Sequence, residues 1–392
     1  MTKQIHTDVM VVGAGLVGLA AAIALALQNK DVVLVSDKPP AESKSALNSD
    51  SWDERVYALT PATEAWLKAI GVWDFLDENR INPIVSMHIW GAESDLLLSA
   101  TDANVAKLGL IIENQQLMNA LWQKLQALGV TVVTDVRCTN IEYTLSEVVL
   151  NAEPDLKIKA KLIVAADGLY SWVRQQANIA TDVKKYHQVA VVANFLTQNS
   201  HHNEAKQWFN AHDVLALLPL PNRHVSMVWS VSTEKAAQLL ALSNESLCEQ
   251  VQAQSLGLLG ELKQIGQTRS APLNQQTALQ LISERIVLVG DAAHQIHPMA
   301  GQGVNLGFRD VMELAQLTTN LHAMHDIGER TFLRQYERAR KADMISMNSL
   351  TSGLDYLFAT EQAVLKKLTN WGLQQIARQP RLKKLLIQQA VY

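Results

Sequence analysis

Three short motifs carry the residue types that bind a large, phosphate-bearing ligand. They are GAGLVG at residues 13–18, ADGLYSWVR at 166–174 and GDAAHQIHPMAGQGVN at 290–305. Glycine-rich turns let backbone N–H groups approach a phosphate, and a carboxylate at a strand end accepts hydrogen bonds from sugar hydroxyls. Each motif ends or follows an apolar strand, and ligands of open α/β sheets collect beyond the carboxyl ends of the strands. We therefore expect the three motifs to converge on one crevice.

The first motif has the spacing G-x-G-x-x-G, with Gly13, Gly15 and Gly18 between the apolar strand DVMVV and the apolar helix LAAAIALALQ. A second apolar strand, DVVLV, follows within the span of a strand–helix–strand unit. Gly13 suits the tight turn, Gly15 the approach of a pyrophosphate, and Gly18 close packing of helix on strand. The 21 residues between Asp8 and Lys30 carry no charge, so hydropathy alone also allows a membrane span. The glycine spacing favours a dinucleotide-binding unit.

An acidic residue is expected after the second strand, where it would hold a ribose hydroxyl. Ser36 stands at the usual position of that carboxylate, and Asp37 follows it. We therefore assign the ribose contact to Asp37.

The third motif combines a carboxylate with a helix start. Asp291 at a strand end can accept hydrogen bonds from a chain of hydroxyls, and Gly301-Gln302-Gly303 opens a helix predicted from Val304 to Leu317. A helix start presents unpaired N–H groups and a partial positive charge, which would stabilise the negative charge of a reduced flavin. Pro298 would fix the loop between the two.

Composition places the chain among folded proteins. It has 392 residues, a net charge of −4 and 48% hydrophobic residues, which excludes a disordered chain and a nucleic-acid binder that relies on a positive field. The only cysteines, Cys138 and Cys248, are far apart and have no histidine cluster nearby. This pattern predicts a reducing compartment and no metal site.

The pattern of apolar residues predicts an α/β fold with a parallel, Rossmann-like sheet assembled from distant segments, an inserted antiparallel sheet, and C-terminal helices. We assign residues 1–82, 105–175 and 280–330 to the cofactor domain. The β-rich substrate domain comprises residues 83–104 and 176–279. Residues 331–392 form a C-terminal helical segment.

Together the three motifs resemble those of the FAD-dependent aromatic hydroxylases related to p-hydroxybenzoate hydroxylase. The segments WDERVYALTPATEAWLKAIGVW, LGLIIENQQLMNAL and YERARKAD make the chain most similar to the ubiquinone-biosynthesis ring hydroxylases, over about residues 5–390. The resemblance implies FAD as cofactor and NAD(P)H as co-substrate. It implies that O₂ adds to the reduced flavin to form a C4a-hydroperoxide, which hydroxylates a polyprenyl phenol. The absence of a second G-x-G-x-x-G fits a family in which NAD(P)H has no Rossmann domain of its own.

The resemblance also implies roles for individual residues. Arg55 would lie over the cofactor, Asp167, Gly168 and Arg174 would support FAD and NAD(P)H, and Asp291 would hold the ribityl chain. The remaining cofactor residues implied are Gly13, Gly15, Gly18, Asp37, Pro298, Gly301, Gln302, Gly303, Val304 and Asn305.

A hydroxylase also needs a group that favours the phenolate. By residue type the candidates are His187, His224, His294 and His297. His294 is the first choice because it lies within the third motif, and we group it with Pro298 as catalytic.

The C-terminal tail differs in charge from the rest of the chain. Residues 366–392 contain six lysines and arginines and no acidic residue, and their leucines recur at approximately helical spacing. A basic amphipathic helix with a tryptophan is typical of a membrane-surface contact, but the same pattern fits a helix docked on the protein's own flank. We expect a cytoplasmic enzyme. Its expected partners are the membrane surface, contacted peripherally through this tail, and other proteins of quinone biosynthesis.

Other functions remain open at this point. They are a soluble aromatic-acid hydroxylase of catabolism, a flavin-bearing scaffold without turnover, and a prenyl reductase of similar fold.

Overall fold

The computed structural model describes residues 3–38, 51–91, 95–210, 213–295, 303–322 and 325–359, together with residues 379, 383, 384 and 387. For residues 345–359 it describes the backbone alone. The predicted catalytic and cofactor residues Pro298, Gly301 and Gln302, and the candidate His297, lie outside the described residues.

In this part of the chain the strands are β1 Lys3–Val12, β2 Val32–Val35, β3 Val56–Leu59, β4 Asn82–Ile84, β5 Ser86–Trp90, β6 Asp95–Ser99, β7 Gly109–Glu113, β8 Thr131–Val133, β9 Arg137–Tyr143, β10 Val148–Glu153, β11 Leu156–Ala165, β12 Thr181–Thr197, β13 Glu204–Phe209, β14 Val214–Leu220, β15 His224–Ser232, β16 Leu262–Ala278, β17 Ile282–Ser283, β18 Ile286–Leu288 and β19 His294–Gln295. The helices are α1 Leu16–Ala26, α2 Pro61–Ala69, α3 Asn114–Ala127, α4 Trp172–Gln176, α5 Thr233–Leu240, α6 Asn244–Gln254, α7 Gly303–Thr319 and α8 Arg330–Ala359. Short 3₁₀ turns lie at Trp73–Phe75, Glu78–Arg80, Ala100–Ala103 and Gly290–Ala292.

The first sheet has the order β17-β18-β11-β1-β2-β8, with β10 beside β11 and β9 beside β10. Strands β18, β11, β1, β2 and β8 run parallel, and Val12 stands opposite both Val35 and Ala165. Ala165 in turn stands opposite Leu288. The carboxyl ends of β1, β11 and β18 are therefore level, and the three motifs that follow them start at one edge of the sheet. This is the predicted convergence.

The second sheet has the order β19-β16-β12-β15-β14-β13-β5-β6 and is antiparallel except for the pair β13 and β5. Strands β3, β7 and β4 form a small antiparallel sheet. The predicted fold class is thus confirmed: the chain combines a discontinuous parallel sheet, an antiparallel sheet and C-terminal helices. The β19 segment, which belongs to the third motif, pairs with β16 and so ties the motif to the second sheet.

The uncharged N-terminal run forms β1 and α1. Helix α1 is buried along most of its length, from Gly18 to Leu25, between the parallel sheet and helices α3 and α7. A helix enclosed on all sides has no polar face, which explains why its hydropathy resembles that of a membrane span. Within the described residues, no helix combines the length and apolar character needed to cross a bilayer.

Candidate active site

The glycines of the first motif have two different functions. Gly13 has φ +110°, and a Cβ added to it would lie 2.3 Å from the Ala166 carbonyl oxygen. A Cβ on Gly18 would lie 1.9 Å from the oxygen of Gly13. These two positions are needed for close packing of α1 against β1 and β11.

Gly15 is different because a Cβ added there would meet nothing within 4 Å. It is the extended N-cap residue of α1, and no side chain caps this helix end. The first N–H groups of α1 therefore face open space, which is the arrangement that binds a phosphate. Asp37 lies two residues beyond the end of β2 and is exposed.

The second motif forms a rigid turn. The Asp167 carboxylate accepts hydrogen bonds from Ser171 Oγ at 2.5 Å and from the Val173 amide at 3.0 Å, and burial raises the pKa of this carboxyl group. Gly168 has φ +82° and open space beside it. Both carboxylate oxygens of Asp167 are thus engaged in ordering the turn that leads into α4.

Arg174 joins the second motif to the third. Its guanidinium is buried and donates to the Ala292 carbonyl at 2.7 Å and to the Leu169 carbonyl at 2.8 Å. Burial lowers the pKa of Arg174. The described contacts of this side chain hold the two motifs in register.

Val17 joins the first motif to the third. A Cβ on Gly290 would lie 3.1 Å from a Val17 methyl group, and a Cβ on Gly307 would lie 2.6 Å from it. Small residues at 290 and 307 therefore let α1, α7 and the turn after β18 meet. Helix α7 begins at Gly303, where an added Cβ would again meet nothing within 4 Å.

Asp291 and Arg55 approach each other across the site. Asp291 is exposed. Desolvation nonetheless raises its pKa, against the lowering effects of His294 and Arg55. The Arg55 guanidinium lies 5.3 Å from the centre of the Tyr57 ring. Burial raises the pKa of Tyr57 to about 12, so its hydroxyl stays protonated at neutral pH. The arrangement places an exposed cation, an exposed carboxylate and a neutral phenol together.

Asn305 and Val304 are buried at the start of α7. The Asn305 side chain accepts from the Thr60 amide at 3.1 Å and donates to the Ala58 carbonyl at 2.7 Å. The side-chain amide of Asn305 therefore connects α7 to the end of β3 and the start of α2.

His294, the predicted catalytic histidine, lies in a buried ion-pair network. Its Nε2 lies 2.6 Å from Asp310 Oδ2, and Arg340 Nε donates to Asp310 Oδ1 at 2.7 Å. The Gly290 amide also donates to Asp310 at 2.8 Å. Burial raises the pKa of Asp310, but His294, Arg340 and Gly290 together hold it below its ordinary value. The network links the third motif to α7 and α8.

The other described histidine candidates have local roles. His224 Nδ1 lies 2.9 Å from the Pro221 carbonyl oxygen, and the centre of its ring lies 5.4 Å from that of Trp52, with the planes tilted by 44°. His187 is exposed, with φ +53°, beside a β-bulge in β12.

Sequence reasoning missed Asp310 and Arg340, which are buried and charged. Asp310 lies on α7, which begins within the third motif, whereas Arg340 lies on α8, which is remote in sequence. Arg340 belongs to YERARKAD, one of the segments on which the resemblance rests. That segment therefore also supplies a residue that pairs with the third motif's buried network.

The comparisons with known proteins agree with this geometry. The family model described as FAD binding domain matches residues 6–348. Ubiquinone hydroxylase UbiL of Rhodospirillum rubrum is 32% identical, over 98% of this chain and 89% of that protein. The 3-demethoxyubiquinol 3-hydroxylase of Escherichia coli is 31% identical, over 100% of both chains.

Among solved structures, p-nitrophenol 4-monooxygenase PnpA from Pseudomonas putida DLL-E4 superposes with a TM-score of 0.78 at 17% identity, over 99% of this chain and 98% of that one. This likeness concerns the fold. The family match and the identity to the two hydroxylases cover most of the chain. The chain therefore belongs to the FAD-binding domain family, among the FAD-dependent aromatic hydroxylases that include the ubiquinone hydroxylases.

Proposed function

We propose that the chain hydroxylates the aromatic ring of a polyprenyl phenol in ubiquinone biosynthesis, with FAD as cofactor and NAD(P)H and O₂ as co-substrates. One observation carries the proposal: at two helix starts, Gly15 and Gly303, an added Cβ would meet no atom of the described residues within 4 Å, and both helices start at the edge where the three motifs meet. The names and identities of the relatives support the choice of substrate class.

The residues at this edge fit FAD. Gly15 would let the pyrophosphate approach the start of α1, on a turn that Gly13 and Gly18 allow to pack, and Asp37 would take a ribose hydroxyl. Asp291 would bind the ribityl hydroxyls and Arg55 would lie against the ring system. The start of α7 at Gly303 would face the isoalloxazine. The predicted contacts of Pro298, Gly301 and Gln302 lie outside the described residues. Bound FAD supplies the redox chemistry, because it accepts a hydride and its reduced form reacts with O₂.

The chain's own residues would stabilise charge and hold the turns of the site in place. The start of α7 carries partial positive charge, which would stabilise negative charge on the nearby end of the ring system. The Tyr57 hydroxyl donates to Asn114 Oδ1 at 3.3 Å, and its raised pKa keeps it protonated, so it does not act as a base. Asp167 and Arg174 act as positioning residues, since they fix the turns that shape the site. His294 would also act as a positioning residue, because it contacts Asp310, and Asp310 accepts a hydrogen bond from the Gly290 amide in the turn after β18.

A lipid substrate implies contact with a bilayer, and contact with other quinone-biosynthesis proteins is part of the same proposal. The tail is one candidate for the membrane contact. In its described residues, however, Ile387 is buried and Lys383 Nζ lies 3.7 Å from Asp102 Oδ2. These contacts favour docking of that part of the tail on the protein's own surface.

We expect a prenylated phenol to stimulate NAD(P)H oxidation by the FAD-loaded protein at least about tenfold, because each hydroxylation consumes one NAD(P)H to reduce the flavin. Small benzoates should give little stimulation. Oxygen and NAD(P)H consumption, measured with both substrate classes, checks this.

Stimulation by benzoates alone would instead support a soluble aromatic-acid hydroxylase. Stable FAD binding with no consumption for any phenol would contradict the proposal and support a scaffold.

A further inference from the structure

Two neighbouring leucines stand exposed where helix α6 ends. Leu256 is 65% exposed and Leu258 is 44% exposed, whereas Leu259 beside them is buried. We call residues 255–260 the leucine turn. A single exposed leucine is ordinary, but two in one tight turn form a small apolar projection.

Leu256 also holds a strained backbone. Its φ is +59°, and the helix closes with bonds from the Leu256 amide to the Ala253 carbonyl and from the Gly257 amide to the Gln252 carbonyl. This is the helix-ending motif whose left-handed residue is usually glycine, because a Cβ there is unfavourable. Leu256 therefore lowers the stability of the fold through strain and gains nothing from burial. Such a residue is expected where the side chain has a use outside the fold.

Exposed cations lie on neighbouring segments, Arg223 in the turn before β15 and Lys263 at the start of β16. Asn199 Nδ2 donates to the Leu258 carbonyl, and Arg223 Nη1 donates to the Gln198 carbonyl next to it. Arg223 and Lys263 are both exposed, and Glu261 is the exposed acid between Lys263 and the leucine turn. Cations beside an apolar projection suit the phosphate layer of a bilayer that contains anionic lipids.

The leucine turn lies at the same end of the second sheet as the segment that leads to the candidate active site. The His224 ring lies 5.4 Å from the Trp52 ring at a tilt of 44°, and Asn194 Nδ2 donates to the Trp52 and Asp53 carbonyls. Arg55 follows two residues later. This end of the sheet is therefore shared by the leucine turn and the segment that carries Arg55.

We propose that the leucine turn inserts Leu256 and Leu258 into the surface of an anionic bilayer, with Arg223 and Lys263 against the headgroup phosphates. The projection is too small for a stable protein interface, which needs about 800 Å² on each partner, whereas insertion into a bilayer needs only a few apolar side chains. The inference rests on the proposed function, because a polyprenyl substrate supplies the reason for membrane contact.

The test uses FAD-loaded, full-length protein and vesicles of phosphatidylcholine with roughly 30% phosphatidylglycerol. Leu256→Gly removes the strain together with the side chain, so we expect unchanged or higher thermal stability but weaker co-sedimentation. Leu256→Gly combined with Leu258→Ser is expected to lower the vesicle-bound to free ratio about tenfold. Leu145→Ser is the matched control, since Leu145 is fully exposed between β9 and β10.

Equal sedimentation of the double variant and the parent, or an equal loss in Leu145→Ser, would overturn the proposal. So would loss of binding only on truncation after Gln379, which would assign the contact to the tail. Turnover of a short-chain, water-soluble prenyl phenol should be unchanged in the double variant. If the parent binds vesicles through the leucine turn but hydroxylates no phenol, the proposed function fails while this inference stands.

Discussion

Replacing Gly15 by valine is expected to leave the chain folded and to weaken FAD binding by about 100-fold or more. The structure has open space beside Gly15, so the added side chain meets no protein atom close to its Cβ. Its backbone is extended, with φ −75° and ψ 177°, which valine adopts readily. The side chain would instead occupy the space in front of the α1 amides, where the pyrophosphate is expected.

Gly13→Ala is the comparison variant. Its Cβ would lie 2.3 Å from the Ala166 carbonyl oxygen at φ +110°, so we expect loss of folded protein and not a selective loss of cofactor. Circular dichroism of the apoprotein together with FAD titration separates the two results. A folded Gly15→Val protein that binds FAD like the parent would contradict the assignment of the first motif.

Asp310→Asn is expected to lower the free energy of unfolding by about 3–5 kcal/mol, because it leaves the buried Arg340 guanidinium with only the partly exposed Asp343 as counter-ion. Asp310 is 1% exposed and Arg340 is 5% exposed, so water cannot replace the lost charge. Asp343→Asn is the matched control. Asp343 contacts the same arginine, but its side chain is 29% exposed, and we expect a loss below about 1 kcal/mol. Urea unfolding of both variants checks the difference.

The stability contribution of Asp310 also depends on pH. Its pKa is lower in the folded protein than the ordinary value, so folding favours the ionised form. This contribution is complete above the unfolded pKa, near about 4, and is lost as the pH falls through the folded value. The difference in stability between parent and Asp310→Asn should therefore shrink as the pH falls below about 4. A difference that stays constant from pH 7 to pH 3 would count against this role.

The meeting of the three motifs was predictable because each follows an apolar strand, and parallel strands present their carboxyl ends at one edge. Helix α7 was predicted from Val304 to Leu317 and runs from Gly303 to Thr319, since its start and its apolar period are both visible in the sequence. The burial of α1 was also predictable, because the glycines at its start are needed only where another backbone segment packs closely against the helix.

Other features were missed because their signals are weak or distant. Strand β16 is mostly polar and exposed along its length, so it lacks the apolar alternation that marks a strand. Helices α5 and α6 did have a usable signal, since Ser232 and Ser243 cap them, but both helices are short. The position of His294 depends on Asp310 and Arg340, and sequence spacing does not indicate which remote charges share a buried network.

The most direct test of the central claim is mass spectrometry of the product formed by FAD-loaded protein from a short-chain prenyl phenol, NAD(P)H and ¹⁸O₂. The account predicts a hydroxylated phenol that carries a single ¹⁸O atom on its ring, with none incorporated from labelled water. NAD(P)H oxidation that yields only hydrogen peroxide and unchanged phenol, across the prenylated phenols tested, would contradict it.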